Sequence, residues 1–155
     1  MAPDVNLNRP FDPRLFLMDQ ELDRGVGLLL AGSAELMRAA EEARHKAGLS
    51  KPELQILMAV RYSPGQTVGE LRDALSMSGP SFARIIGELD KRGLIERERE
   101  QASDKRRRTL NLSDAGTTLT TQITIVLRER LRLAYRAAGP DAVERARKVM
   151  DALVK

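Results

Sequence analysis

Apolar and small residues recur every three or four positions between residues 19 and 47, which is the spacing of one face of a helix. The members of this stripe are Leu22, Val26, Leu29, Ser33, Leu36, Ala40, Ala43 and Ala47. The pattern predicts one long helix that ends near Gly48 and packs closely against another helix. Gly25, Gly27 and Gly32 each lower helix propensity by about 1 kcal/mol relative to Ala, so we expect any break or kink near these glycines.

Two capping patterns mark the next helices. Ser50 followed by Glu53 is typical of a helix start, and this second helix should run to about Tyr62. Thr67 with Glu70 three positions later has the form of a capping box and predicts a short third helix.

The sequence Ser-Met-Ser-Gly-Pro at 76–80 predicts a turn that leads into a fourth helix, which should end at Gly93. The apolar side of this helix consists of Phe82, Ile85, Ile86 and Leu89. Its opposite side presents Ser81, Arg84, Glu88 and Lys91. The helical spacing therefore predicts one buried and one polar face.

From residue 94 the helical period gives way to alternation, which indicates strands. A first strand over 94–100 carries alternating acidic and basic side chains, residues 101–105 form a tip, and the return strand covers 106–112. Leu110 and Leu112 should lie on the inward face of the return strand. The pattern predicts a hairpin that is held to the core at its base and is exposed beyond it.

Ser113 should cap a fifth, long helix that Gly139-Pro140 ends, and a sixth helix completes the predicted elements. Two short helices around a turn, followed by a strand, a basic tip and a second strand, form the layout of a winged helix-turn-helix. The predicted fold class is therefore mainly α with a small β-hairpin wing. Such a module places one helix in the DNA major groove.

Residues 1–18 contain three prolines, which disfavour a helix there. Phe11, Leu15, Phe16 and Leu17 make this arm more apolar than a free tail should be. We expect the arm to pack against a second subunit.

Composition narrows the class of protein. The 155 residues suit a single domain, and 42% hydrophobic residues are sufficient for a core. Cysteine is absent, His45 is the single histidine, and no phosphate-binding loop or Gly-x-Ser-x-Gly motif is present. We therefore expect no enzyme activity, no metal and no cofactor.

The first twenty residues lack the apolar run of a signal peptide, and no apolar run in the chain is long enough for a membrane span. We therefore expect a cytoplasmic protein without membrane contact.

Positive charge is concentrated on the hairpin. The net charge is +4, and four adjacent basic residues, Lys105 to Arg108, follow the acidic Asp104. A basic cluster between two strands presents its charge on an ordered element, and this placement favours a nucleic-acid partner.

Three segments resemble the multiple antibiotic resistance regulator (MarR) family of bacterial winged-helix transcription factors. They are Leu89-Asp-Lys-Arg-Gly-Leu-Ile95, Asp104-Lys-Arg106 and Leu110-Asn-Leu-Ser-Asp-Ala-Gly116. Each segment is a weak signal alone, but their order and spacing make the resemblance strong, and it extends from Asp19 to Lys155. Ser113 replaces the threonine that is commoner in the family at the start of the helix, and it keeps the capping hydroxyl.

The resemblance implies a homodimer that reads a pseudo-palindromic site on double-stranded DNA and acts as a transcriptional repressor. It divides the single domain, 1–155, into an arm and dimerisation helices (1–47 and 113–155) and a DNA-binding lobe (50–112). It also implies a small aromatic or organic effector bound between lobe and interface. The elements that the family uses for this pocket carry Met37, His45, Leu57, Arg61 and Tyr62, although such residues are more often core or surface residues than ligand contacts.

The start of the fourth helix supplies the first set of candidate DNA-binding residues. They are Ser78, Gly79, Pro80, Ser81 and Arg84. Amides and hydroxyls at a helix N-terminus bind phosphates well, and an arginine one turn further in can pair with guanine. The alternatives are simple capping by the serines and an internal ion pair between Arg84 and Glu88.

The second set of candidate DNA-binding residues lies on the wing. It consists of Asp104, Lys105, Arg106, Arg107 and Arg108. In the family, the wing arginine, here Arg106, enters a minor groove, where narrow A·T-rich sequence attracts a cation. Strand alternation sends Arg107 and Arg108 to opposite faces, so we expect one of them to be a solvated charge. The alternative is an exposed ion pair without function.

Two other functions compete with DNA binding. A dimeric protein-interaction module could use the same fold without reading DNA, but it would not need a concentrated basic tip. A hydrolase built on paired carboxylates would need a cleft lined by acids, and no such pair is evident in the sequence.

Overall fold

The computed structural model of the chain describes residues 10–99 and 108–154. After a short 3₁₀ turn at Pro13–Leu15, the helices and strands follow in the predicted order. They are α1 (Asp19–Ala39), α2 (Glu41–Lys46), α3 (Lys51–Tyr62), α4 (Val68–Ala74), α5 (Gly79–Lys91), β1 (Ile95–Arg99), β2 (Arg108–Leu112), α6 (Asp114–Ala138) and α7 (Pro140–Leu153). The mainly helical class with a small antiparallel hairpin is confirmed.

The first predicted helix is divided at Ala40, and the prediction of a break near the glycines was wrong. Gly25 and Gly32 lie within α1, where open space surrounds the position of a Cβ atom. Ala40, in contrast, has no exposed surface and belongs to the core of the following unit. The break therefore lies at the boundary between the two compact units and not where local helix propensity is lowest.

The chain forms two compact units, one of residues 1–39 with 133–155 and one of residues 40–132. These limits differ from the predicted division at 47 and 113. The second boundary falls inside α6, which continues through it as one helix. The predicted assignment of the segments to dimerisation and DNA binding stays a prediction.

The hydrophobic core of the second unit lies under α5. All four residues of the predicted apolar face of this helix, Phe82, Ile85, Ile86 and Leu89, are at most 3% exposed. They share the core with Leu54, Ile56, Leu57, Val60, Leu71, Leu94, Ile95, Leu110 and Ile123. Burial of each large side chain stabilises the fold by about 1.5–3 kcal/mol, so the apolar face fixes which side of α5 remains outside.

The predicted N-cap at Ser50 and the predicted capping box at Thr67 are confirmed, and Ser50 also forms a capping box with Glu53. The amide of Ser50 donates to Glu53 Oε2 at 2.6 Å, and the amide of Glu53 donates back to Ser50 Oγ at 3.3 Å. Thr67 and Glu70 form the same reciprocal pair at 2.7 and 3.2 Å. These bonds fix the first turns of α3 and α4.

The hairpin pairs Ile95 with Leu112 at its base and Arg99 with Arg108 at the last described pair. Leu110 is fully buried, and Leu112 packs against the core, as predicted. A short bridge between Thr67 and Thr109 extends the sheet toward α4, and no sequence pattern predicted it. The base of the hairpin is therefore tied both to the core and to the start of α4.

Ser113 caps α6 and also contacts the end of α5. The amide of Gly116 donates to Ser113 Oγ at 3.0 Å, and this hydroxyl donates to the carbonyl of Gly93 at 2.6 Å. A Cβ atom on Gly116 would lie 2.0 Å from the carbonyl oxygen of Leu94, so this position accepts glycine alone. Gly93 and Gly116, which lie in two of the quoted segments, thus meet at one junction.

Helices α1 and α7 belong to the first unit, and within these two helices no residue is buried. Their apolar side chains are exposed in the single chain, with Val149 at 64% and Leu153 at 67%. Gly139, with a φ of 82°, separates α6 from α7 as predicted. Within the described part of the chain, no helix is both long enough and apolar enough to cross a membrane.

Candidate nucleic-acid interface

Helices α4 and α5 are joined by a tight turn. Ser76 adopts a φ of 51°, a left-handed conformation that glycine usually supplies at the end of a helix. The amides of Ser76 and Met77 donate to the carbonyls of Asp73 and Arg72, which closes the last turn of α4. This turn sets the angle at which α5 leaves α4.

The N-terminus of α5 is open to solvent. Ser78 is the N-cap residue, and within the described residues its side chain makes no capping hydrogen bond. Gly79, Pro80 and Ser81 are exposed in the first turn. The amides at this end lie at the positive end of the helix dipole, which favours an anion such as a phosphate.

Arg84 and Glu88 lie on the exposed side of α5, opposite the buried face. Arg84 Nη1 lies 2.7 Å from Glu88 Oε1, and the two side chains are 66% and 45% exposed. The predicted i,i+4 ion pair is therefore present. Exposed pairs of this kind contribute about 0.3–0.5 kcal/mol, so it does little to hold α5 in place.

The C-terminal end of α5 is fixed by Arg92. Its guanidinium donates to the carbonyl of Ala47 at 3.0 Å, to the carbonyl of Gly48 at 3.1 Å and to Glu53 Oε1 at 3.1 Å. The sequence pattern included Arg92 only as the basic residue before Gly93. A basic residue at the C-terminal end of a helix suggests a contact with nearby carbonyl groups. The three partners of Arg92 could not be identified in this way, because they are distant in sequence.

Burial of the Glu53 carboxyl raises its pKa, but hydrogen bonds from Ser50 and Arg92 outweigh this effect, so the net pKa is lowered. The carboxylate thus stays charged beneath the loop between α2 and α3. It provides a fixed negative partner for Arg92 at the end of α5.

A second arginine, Arg44, contacts the same loop. Arg44 is buried, donates to both oxygens of Glu41 at 2.6 and 3.0 Å, and donates to the carbonyl of Leu49. The hydrogen bonds from Arg44 lower the pKa of Glu41 to about 2. Together, Arg44 and Arg92 hold the loop at 47–49, and sequence reasoning identified neither role.

The hairpin is attached to α5 by a further ion pair. Arg97 lies directly opposite Leu110 in the register, so both side chains share one face of the sheet. Arg97 Nη2 reaches Asp90 Oδ2 at 3.3 Å. This contact joins β1 to the C-terminal half of α5.

Most predicted wing residues lie outside the described part of the chain, namely Asp104, Lys105, Arg106 and Arg107. Arg108 is the first residue of β2 and pairs with Arg99. The pair of Arg99 and Arg108 therefore gives the positions of the two strand ends that the basic segment connects.

The predicted effector residues occupy different environments. Leu57 is fully buried in the core, Arg61 donates to Thr120 Oγ1 at 2.9 Å, and Tyr62 is exposed at the end of α3. His45 is exposed on α2, with Nε2 3.3 Å from Glu41 Oε1. Met37 lies on α1 in the other unit. The effector pocket stays a prediction.

Within residues 10–99 and 108–154, no three acidic or histidine side chains lie close enough together to bind a metal ion. Many of the described polar groups are instead engaged in capping boxes and arginine contacts.

Comparison with known proteins identifies the family. Residues 47–107 match the sequence model of the MarR family. The HTH-type transcriptional regulator PetP of Rhodobacter capsulatus is 30% identical over 140 residues, which cover 90% of this chain and 84% of PetP. The chain belongs to the MarR family.

Solved structures agree with the MarR fold. NadR in complex with 4-hydroxyphenylacetate matches with a TM-score of 0.72 and 21% identity over 95% of this chain and 99% of NadR. A mutant of S. aureus MepR bound to an oligodeoxyribonucleotide matches with a TM-score of 0.57 and 19% identity over 83% and 94% of the two chains. The protein is thus a MarR-family transcription regulator with the winged-helix DNA-binding fold, and the resemblance drawn from the sequence is confirmed.

Proposed function

We propose that this MarR-family protein is a homodimeric repressor that binds a pseudo-palindromic DNA site and is released by a small organic effector. The observation that carries the proposal is the exposed start of α5, where Ser78, Gly79, Pro80 and Ser81 are open to a ligand. The buried opposite face prevents α5 from turning this surface inward.

In the proposed complex, α5 enters the major groove. The first-turn amides and hydroxyls bind phosphates and Arg84 reaches the base edges. The MepR mutant bound to an oligodeoxyribonucleotide, which shares the fold, supports DNA as the partner. The contact of Arg92 with Glu53 would hold the end of α5 against α3, and the contact of Arg97 with Asp90 would hold α5 to the hairpin.

The wing supplies the second contact. Arg106 enters the adjacent minor groove, with Asp104 orienting its guanidinium, while Lys105 and one of Arg107 and Arg108 neutralise phosphates. The antiparallel register that ends at Arg99 and Arg108 supports a hairpin that carries this basic segment away from the core.

Exposed apolar residues support the dimer. Val26 on α1 and Val149 and Leu153 on α7 leave large apolar surfaces in contact with water in the single chain. Burying them against a second copy would produce a symmetric pair of DNA-binding lobes, which suits half-sites separated by one helical turn.

The proposed effector is a small aromatic or organic molecule. The complex of NadR with 4-hydroxyphenylacetate supports this chemical class. Arg61, His45 and Tyr62 are the predicted residues with polar groups that could bind such a molecule, and Met37 and Leu57 are the predicted apolar members of the set. Variants of the wing should lose DNA binding, whereas variants of the five effector residues should lose the response to the effector.

The test of DNA binding is Arg106→Ala, measured by gel shift at fixed salt on the region upstream of the protein's own gene. We expect at least about tenfold weaker binding and a reduction of about 0.9 in the slope of log affinity against log salt, because one cation no longer replaces a counterion. Arg14→Ala is the control, since Arg14 is exposed and paired with Asp12 in the N-terminal arm.

Unchanged affinity in Arg106→Ala would refute the wing assignment. A protein-interaction module, the competing function, would give no salt-dependent shift with either variant or with the unmodified protein. The two failures are therefore distinguishable on the same gel.

A further inference from the structure

Glu88 places a negative charge on the side of α5 that the proposed function turns toward DNA. Its carboxylate is nearly half exposed and contacts Arg84, one turn earlier, at 2.7 Å. The other acidic residue in this part of α5, Asp90, is engaged by Arg97 of β1. The Glu88 side chain therefore faces outward with its arginine, away from the contacts that fix α5.

A carboxylate on this surface opposes phosphate binding, because it repels the DNA backbone. It gains a favourable partner in the major groove, where the N4 amino group of cytosine donates to a carboxylate. Arginine, in contrast, pairs with the O6 and N7 acceptors of guanine. The side chains of Glu88 and Arg84 thus match the two bases of a G·C pair.

The spacing of the two residues fits neighbouring bases. Four residues of α-helix rise about 6 Å, and successive base pairs are about 3.4 Å apart, so the two side chains reach the same base pair or pairs up to two steps apart. The ion pair biases the guanidinium of Arg84 toward the exposed face before DNA arrives, which reduces the conformational freedom lost on binding.

We propose that Glu88 is a specificity-determining residue of this regulator: it orients Arg84 toward a guanine and itself selects a cytosine within the same half-site. The inference rests on the proposed function, since it requires α5 to lie in the major groove. The proposed function places α5 in the major groove, and Glu88 would be the side chain on this helix that excludes other base sequences.

The experiment is selection from a random-sequence DNA duplex library with the full-length protein and with Glu88→Gln. Glu42→Gln is the matched control, because Glu42 forms an equivalent i,i+4 pair with Lys46 at 2.7 Å on α2, away from α5. The unmodified protein and the control should enrich the same motif with a cytosine at one position of each half-site.

For Glu88→Gln we expect a change at that one position. An amide side chain pairs with adenine, so the preference should move from cytosine to adenine with a change in discrimination of about tenfold or more. Affinity for unrelated DNA should rise, since a negative charge is removed. Glu88→Ala should lose the cytosine preference without gaining adenine.

An unaltered motif in both Glu88 variants overturns the proposal. A uniform loss of affinity at every position, with the same preferred bases, also overturns it, because that pattern indicates a role in stability alone. If the unmodified protein enriches no motif, the proposed function itself fails and this inference fails with it. Circular dichroism and thermal unfolding of each variant check that the helical fold is retained.

Discussion

The absence of a side chain at Gly116 sets how closely α6 approaches the end of α5. The position of a Cβ atom there is 2.0 Å from the carbonyl oxygen of Leu94, which is backbone and cannot rotate away. Gly87, within α5, has open space at the same position. The two glycines therefore lie in opposite steric environments, and sequence alone does not distinguish them.

Gly116→Ala should lower the free energy of unfolding by about 2–4 kcal/mol, because the backbone of α6 or of Leu94 must move. Gly87→Ala is the control and should raise it by up to about 1 kcal/mol through helix propensity. Urea unfolding followed by circular dichroism measures both. Equal effects of the two substitutions would contradict the close contact at Gly116.

At the scale of elements, local signals predicted most of the fold. The capping boxes at Ser50 and Thr67, the apolar face of α5 and the end of α6 at Gly139 depend on residues within a few positions of one another. Their physics is contained in short segments, so the sequence predicts them directly.

The features that sequence did not predict depend on distant contacts. The division at Ala40 coincides with the boundary between the two compact units, and the Thr67–Thr109 bridge joins residues far apart in the chain. The same is true of Arg92, whose partners Glu53 and Ala47 lie 39 and 45 positions earlier. The periodicity of apolar residues does not indicate which distant residues form a hydrogen bond or an ion pair.

The attachment of α5 to the loop between α2 and α3 can be measured. Arg92→Met should lower the free energy of unfolding by about 2–3 kcal/mol, because it removes charged hydrogen bonds and leaves the Glu53 carboxylate buried without its cation. The double variant with Glu53→Gln, which removes the buried charge and keeps an acceptor for the amide of Ser50, should recover part of this loss. Amide hydrogen exchange of α5 should accelerate in Arg92→Met.

Additive effects of the two substitutions would contradict the attachment through Glu53, because a direct ion pair requires a coupling energy in the double-mutant cycle. Arg84→Met is a suitable comparison, since it removes an exposed arginine from α5 and should change stability by less than about 1 kcal/mol.

At the scale of the whole molecule, the sequence predicted the family better than the detailed site. The three quoted segments identify the MarR family, but the wing residues from Asp104 to Arg107 lie outside the described part of the chain. The apolar surfaces of α1 and α7 have the character expected of dimerisation helices. The proposed dimer would place their partner surface on a second copy, and the sequence of one chain does not specify how two copies meet.

Val149→Asp should weaken the proposed dimer, because it places a charge on the exposed apolar side of α7. Sedimentation equilibrium should show dissociation at higher protein concentration than for the unmodified protein, and DNA affinity should fall because the half-sites are no longer bound together. Lys148→Asp, one position earlier on the polar side of α7, is the control. An equally tight dimer in Val149→Asp would exclude this side of α7 from the interface.

The hydroxyl of Ser113 donates to the carbonyl of Gly93 while it accepts from the amide of Gly116. An ionised aspartate at this position could accept but not donate, and an alanine could do neither. The choice of residue here is therefore restricted by hydrogen-bond polarity as well as by helix capping. Serine and threonine meet both demands with a single oxygen atom, so an exchange between these two residues leaves the junction of hairpin and long helix with all its hydrogen bonds.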